Sequence, residues 1–381
     1  MEFFDYPTMK VIWWLLIGAL LIGFAIMDGH DMGIGSLLPF VGKTDSERRV
    51  IINSIGVHWE GNQVWFITGG GAIFAALPLV YASAFSGFYW AMLAVLWALF
   101  FRPVGFKYRS MIQHDLWRRT WDWLLFVGSF VPALIFGVAM GNLLLGVPFH
   151  FDNDLRSFYT GSFWALLNPF ALLCGVVSAA MLVFHGGIYL MHRTEDAVYA
   201  RTRQTLVYSA AATLIAFTLA GLWVAFVLQG YVITSMIDPA MAPDPLTKAV
   251  TRAGGAWLNN YQHYPLTISV PLLGYLGILA ALFLARTGRT LLGFVCSSFG
   301  LLGIIGTVGV SMFPFIMPSS SDPGSSLTVW DSTSSHLTLT IMLVVTVIFL
   351  PIVTIYTGWA FAVMRGKVTE AYIRENEHQS Y

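Results

Sequence analysis

Charge is what this sequence has least of. Lys, Arg, Asp and Glu make up 10% of its 381 residues, where a soluble domain carries roughly 25%. With 57% hydrophobic residues, water is not the main solvent of this chain. Its 20 basic and 20 acidic residues cancel, so bulk charge points to no nucleic acid and no anionic surface as a partner. Cysteine is nearly absent as well. Cys174 and Cys296 lie in apolar stretches with no CxxC or CxxCH spacing, which leaves a structural disulfide, a metal cluster or covalent haem attachment without support. The first apolar run has no small-residue cleavage site after it and continues into Asp28 to Gly35, so it reads as a retained helix, not a removed signal peptide.

What the chain has in quantity is long apolar runs. A spanning helix needs about 20 predominantly apolar residues, and the condition is met near 11–34, 51–78, 80–101, 123–145, 163–190, 204–228, 265–285, 290–312 and 337–363. About nine transmembrane helices are therefore expected, forming an all-α membrane protein with a single polytopic domain over 1–381. Short connections favour antiparallel neighbours packed as bundles. The longer connections 229–264 and 313–336 read as folded external loops. Of the 20 Lys and Arg residues, only Lys10, Arg156, Lys248 and Arg252 fall on one side of this arrangement, and the other 16 on the opposite side. Because basic residues are retained on the cytoplasmic side, the N-terminus is placed outside and the C-terminus inside. Small residues of the second span, Gly69, Gly70, Gly71, Ala72, Ala75 and Ala76, are expected to let helices approach closely.

An ionisable group in hydrocarbon costs about 2.5–3.5 kcal/mol on insertion scales, so each needs a partner, a wet cavity or a role. Asp28 and Asp31 lie about 27–32 Å along the first helix from Lys10, near the cytoplasmic surface and on one face. They read either as a proton-collecting mouth or as solvated carboxylates paired with Arg48 or Arg49. Glu60, about 14 Å into the second span, is expected close to the midplane, costly when ionised and suited to carry a proton. Asn53, Gly56, Glu60 and Gln63 fall on one face at helical spacing, as a half-channel would, the alternative being a Glu60 satisfied by a neighbouring helix or subunit. Arg102, before Pro103, is placed either to snorkel or to neutralise the acidic residues. His58, His185 and His336 share no depth on adjacent spans, which disfavours bis-His haem ligation. Trp13, Trp14, Trp121 and Trp123 read as interfacial anchors, whereas Trp59 and Trp65, flanking Glu60, shape a pocket or a helix contact. A proton-coupled secondary transporter is the competing class, although it should show broken helices and midplane polar groups in matched halves.

Several motifs carry a resemblance. Asp28-Gly29-His30-Asp31-Met32-Gly33-Ile34-Gly35, Glu47-Arg48-Arg49 and His58-Trp59-Glu60-Gly61-Asn62-Gln63-Val64-Trp65 are followed by Ala84 to Tyr89, Phe100-Phe101-Arg102-Pro103, Gly141 to Leu144 and Asn168-Pro169-Phe170. Near the C-terminus come Met312 to Ser320 and Leu327 to Ser335. Together they resemble subunit II of cytochrome bd-type quinol oxidases, in order and over essentially the whole chain. The resemblance implies two four-helix bundles plus one additional helix in the bacterial inner membrane, in a complex that oxidises quinol and reduces dioxygen to water. It places haems b558, b595 and d on a partner, subunit I, and no catalytic residue or metal on this chain, which can hold a structural quinone. Small single-helix accessory subunits are further partners it brings into view. By motif, Asp28, Asp31 and Glu60 would line a proton path with Arg102 beside it, and Trp65 would lie by an oxygen route. His30 departs from the aromatic Phe expected between the aspartates, Glu60 stands where Asp is also found, and Lys107 stands where some members carry Asp.

Overall fold

The computed structural model describes residues 4–375. Helix α1 (Tyr6–Val41) opens with Pro7 in its first turn, where the missing N–H costs nothing. Its 36 residues span about 54 Å, well beyond the hydrocarbon core. A short amphipathic helix, α2 (Asp45–Ile55), follows through a capping box in which Thr44 accepts from the Glu47 N–H and Glu47 accepts from the Thr44 N–H.

Here the sequence expectation fails. In place of continuous spans over 51–78 and 80–101, the chain leaves helix at 56–58 and again at Leu77, giving α3 (Trp59–Ala76), α4 (Pro78–Gly87) and α5 (Tyr89–Tyr108). Pro78 denies the helix an N–H and bars its predecessor from helical geometry. Leu77 accordingly adopts φ −133°, ψ 63°, and α4 is bent 120° from α3.

The remaining helices are α6 (Asp115–Leu145), α7 (Pro169–Arg193), α8 (Asp196–Phe226), the short α9 (Asn259–His263), α10 (Ser269–Arg286), α11 (Thr290–Met312), α12 (His336–Val363) and α13 (Glu370–Glu375). Eight helices among the described residues are long and apolar enough to cross a membrane, and the bent α3–α4 pair makes a ninth if it counts as one span. Helix α1 packs against α3, α6 and α7, while α5 lies on α6, α7 on α8 and α11, and α10 on α11 and α8. Helix α12 touches α1 and α3 and is otherwise largely exposed.

At one end of the molecule, three antiparallel hairpins form a cap: β1 (Phe149–Phe151) with β2 (Ser157–Tyr159), β3 (Gln229–Ile233) with β4 (Val250–Gly254), and β5 (Phe315–Met317) with β6 (Leu327–Thr328). The segments 229–264 and 313–336 are tied together by the buried Lys248–Asp331 ion pair at 2.8 Å. Lys10 at the start of α1 donates to the carbonyls of Pro239, Met241 and Trp330 at 2.9, 3.2 and 2.6 Å. At the opposite end, α2 is clamped by Arg48–Asp122 at 2.8 Å, Arg109–Asp45 at 2.9 Å and the Arg201–Glu47 pair, and Arg109 also binds Asp122 at 2.5 Å.

Helices α1 and α7 approach each other at backbone distance. A Cβ on Gly33 would stand 2.0 Å from the Leu182 carbonyl oxygen, and one on Gly186 would stand 2.5 Å from that of His30, so neither helix tolerates a side chain there. Gly33→Ala is expected to cost about 1–3 kcal/mol by overpacking and to lower the thermal midpoint of the purified protein in detergent. Gly18→Ala, on the same helix with nothing within 4 Å, should leave that midpoint unchanged or higher. Asp331→Ala strands the Lys248 ammonium, at about 3–5 kcal/mol for a broken buried pair, and faster proteolysis within 229–264 is the expected readout.

Candidate functional site

The glycines that let α1 and α7 touch also decide what α1 presents to its neighbours. One turn of α1 carries Asp28, His30 and Asp31, all at most 1% exposed. Arg102 reaches this turn from α5 and binds Asp28 through two bonds, Nη1–Oδ2 at 3.1 Å and Nη2–Oδ1 at 2.9 Å. Such a fork-to-fork bond is the strong form of a charge-assisted hydrogen bond, and both partners are 1% exposed. The same Nη2 lies 4.0 Å from Asp31 Oδ2, and the guanidinium sits 5.9 Å from the Trp59 ring centre.

Asp31 is held from α3. Asn62 Nδ2 donates to Asp31 Oδ2 at 2.8 Å and lies 3.2 Å from His58 Nδ1. His58 Nε2 meets the Tyr189 hydroxyl of α7 at 2.9 Å, and its ring stacks on Phe361 at 4.5 Å. His30 Nδ1 donates to the Ile26 carbonyl at 3.1 Å, while Nε2 lies 3.2 Å from Asp31 Oδ1. His185 approaches the same Ile26 carbonyl from α7, also at 3.1 Å.

Several expectations are corrected by this arrangement. Asp28 and Asp31 do not form a surface mouth, nor do they pair with Arg48, which is engaged by Asp122. They are buried, and Arg102 turns into the acidic cluster instead of snorkelling. Glu60 is the reverse case. The break at 56–58 makes it a first-turn residue of α3, on the exposed face with Val64, Ile67 and Phe74. The Asn53, Gly56, Glu60 and Gln63 stripe does not exist as one face, because the helix ends between Ile55 and Trp59. Trp65 is half-buried and lies over Gly23 of α1.

The histidines are also placed differently from the reading by depth. The His30 and His58 rings are 5.5 Å apart, and those of His30 and His185 are 6.3 Å apart. Tyr189, Phe294 and Phe361 close in on His30 at 4.4, 5.7 and 6.1 Å. That packing leaves no slot for a porphyrin between imidazoles, so these residues do not fit a haem. Asn62 and Tyr189 were not singled out by sequence reasoning. Asn62 sits inside the His58 to Trp65 motif, three residues beyond Trp59, whereas nothing local to Tyr189 marks it.

Chemically, the site is a buried, hydrogen-bonded set of two carboxyls, one guanidinium, one amide and two imidazoles, with a third carboxyl on the outer surface of the same α3 turn.

The family model for cytochrome bd terminal oxidase subunit II matches residues 9–364. The chain is 52% identical to cytochrome bd-I ubiquinol oxidase subunit 2 of Escherichia coli K12, covering 99% of this chain and 100% of the relative. It is 30% identical to cytochrome bd ubiquinol oxidase subunit 2 of Bacillus subtilis, covering 94% and 96%. The solved structure of the bd oxidase from Geobacillus thermodenitrificans superposes with a TM-score of 0.67 at 14% identity, covering 94% of this chain and all of that one, a likeness of fold. With its eight or more apolar helices, the chain is a multi-pass protein of the bacterial inner membrane, and it belongs to the cytochrome bd terminal oxidase subunit II family.

Proposed function

We propose that this chain is the haem-poor half of a quinol:oxygen oxidoreductase, inactive alone, that takes up cytoplasmic protons for the reduction of dioxygen to water. The observation that carries the proposal is the buried Asp28–Arg102–Asp31–Asn62 cluster lying behind an exposed Glu60. A carboxylate facing lipid costs about 2.5–3.5 kcal/mol on insertion scales, and Glu60 has no hydrogen bond or ion pair to any described residue. Its face of α3 is therefore the one covered by the haem-bearing subunit I, where Gly70 and Gly71, open on this chain, admit a partner helix.

In this reading the N-terminus and the Lys248–Asp331 cap face the periplasm, and α2 and the C-terminus face the cytoplasm. The chain is one polytopic domain of two four-helix bundles, α1, α3–α4, α5 and α6 beside α7, α8, α10 and α11, with α12 as the additional helix. Asp45, partly open to solvent, begins a polar line through Arg109. Two helical turns further along α5, about 10 Å, Arg102 holds Asp28 and leans toward Asp31. Arg102 holds the two carboxyls beside each other, and Glu60 passes the proton on across the interface. Protons drawn from the cytoplasmic side make the reaction electrogenic without a pump.

Haems b558, b595 and d, which supply the electron transfer and oxygen chemistry, belong to subunit I. Trp65, packed against Gly23, borders a lipid-side oxygen route. A structural quinone fits the apolar groove of about 620 Å³ lined by Leu173, Val176, Leu222 and Trp223, and small single-helix subunits are candidates for the exposed α12.

Quinol-driven oxygen uptake by the purified complex tests the proton path. Asp28→Asn should lower uptake on the order of a hundredfold, in the range of general acid–base effects, with the haem spectrum retained. Glu60→Gln should do the same, and Glu60→Asp should keep most of the activity. Normal uptake in both Asp28→Asn and Glu60→Gln would remove the path from this chain.

A further inference from the structure

We propose that His30, Asp31 and His58 form a binding site for a divalent first-row transition-metal ion of the zinc class. One ligand atom from each lies within 4.8 Å of the other two, and His30 Nε2 and His58 Nδ1 both approach Asp31 Oδ1. The two separations to Asp31 Oδ1 are 3.2 and 3.8 Å. Metal–ligand bonds of about 2.0–2.1 Å in a tetrahedron place neighbouring ligand atoms about 3.3 Å apart, so the three atoms need little movement to share one ion. Two imidazoles and a carboxylate are the donor set that zinc, nickel, copper and iron prefer over calcium or magnesium.

The hydrogen bonds decide which atoms carry lone pairs. The Ile26 carbonyl can only accept, so His30 Nδ1 carries the proton and Nε2 of the neutral ring carries a lone pair. The Asn62 amide nitrogen can only donate, so His58 Nδ1 also presents a lone pair, with Nε2–H directed to Tyr189. Asp31 Oδ1 adds a third. His30 Nε2 and Asp31 Oδ1 are buried and have no hydrogen-bond partner among the described residues. His30 Nε2 and Asp31 Oδ1 thus face each other with no donor from another residue between them, and the His58 Nδ1 lone pair, bonded to Asn62, is the third that a cation here would draw on. The outer bonds have the form that orients metal ligands, with Ile26 fixing the His30 tautomer, Tyr189 the His58 ring and Asn62 the far oxygen of Asp31. Binding transfers the His58 lone pair from Asn62 to the ion. The His58 side chain, 7% exposed, gives the ion its way in.

Because Asp31 belongs to the proposed proton path, an ion here would slow oxygen uptake. That consequence rests on the preceding reading, whereas binding does not. The test uses the intact complex with its haem-bearing partner and any affinity tag removed. It is stripped with chelator, equilibrated with zinc chloride and dialysed. Zinc per complex is counted by mass spectrometry for the unsubstituted protein, His30→Phe and His58→Gln, and the bound ion is examined by zinc-edge X-ray absorption. The expected result is one zinc fewer in each variant and a nitrogen–oxygen shell at about 2.0–2.1 Å with the outer scattering of two imidazoles. Equal zinc in all three proteins, or an unsubstituted shell without that imidazole signature, would overturn the site. The absorption result on the unsubstituted protein decides even where a variant fails to assemble. Zinc bound as described with oxygen uptake unchanged would keep the site and remove Asp31 from the proton path.

Discussion

The bidentate bond between Arg102 and Asp28 is the interaction on which the central packing depends. Each charge comes from a different helix, and neither can be left alone in an apolar interior, where stranding one partner of a buried pair costs about 3–5 kcal/mol. Two parallel bonds fix angle as well as distance, so the Arg102 side chain ties α5, which packs on α6, to one turn of α1. Gly128 of α6 lies beneath the arginine stem, with the Ala98 carbonyl 2.7 Å from where a Cβ would stand.

A second constraint acts at the other side of α1. Backbone contact at Gly33 and Gly186 brings α7 close enough for Tyr189 and His185 to reach the turn that holds the aspartates. In lipid, helices gain nothing from hydrophobic burial against one another, and close packing with interhelical hydrogen bonds takes over that role. The site is therefore the place where three helices, α1, α5 and α7, with the first turn of α3, meet by these two devices. The same crowding closes the space a porphyrin would need and brings ring nitrogens to ligand distance of a carboxylate.

The break between α2 and α3 divides the polar residues of one sequence motif between inside and outside. Helix α2 is held at the surface by arginine–carboxylate pairs to α5, α6 and α8, and α3 starts afresh at Trp59. Within one turn, His58 and Asn62 point to the buried aspartate and Glu60 points away. Among the described residues the α3–α4 pair is the one bent pair of spans, without the matched second half that a transporter built on inverted repeats displays.

By itself the sequence determined the class of protein. Charge scarcity, repeated apolar runs and the clustering of Lys and Arg are sums over many residues, and they led to a multi-pass helical membrane protein whatever the details of packing. Long motifs such as His58 to Trp65 carried the family. Depth and orientation were decided only in three dimensions. Hydropathy counts residues without registering that Gly56 and Pro78 interrupt the helix, so Asn53, Gly56, Glu60 and Gln63 were read as one face when Glu60 begins a new helix on an exposed face. Asp28 and Asp31 were placed at the surface because distance along α1 was counted from Lys10 with nothing to say what covers them. Arg102, 74 residues from Asp28, and Tyr189, 131 from His58, are joined to them by helix packing alone. No local pattern encodes such partners, because what selects them is the free energy of leaving a charge or a lone pair unpaired away from water.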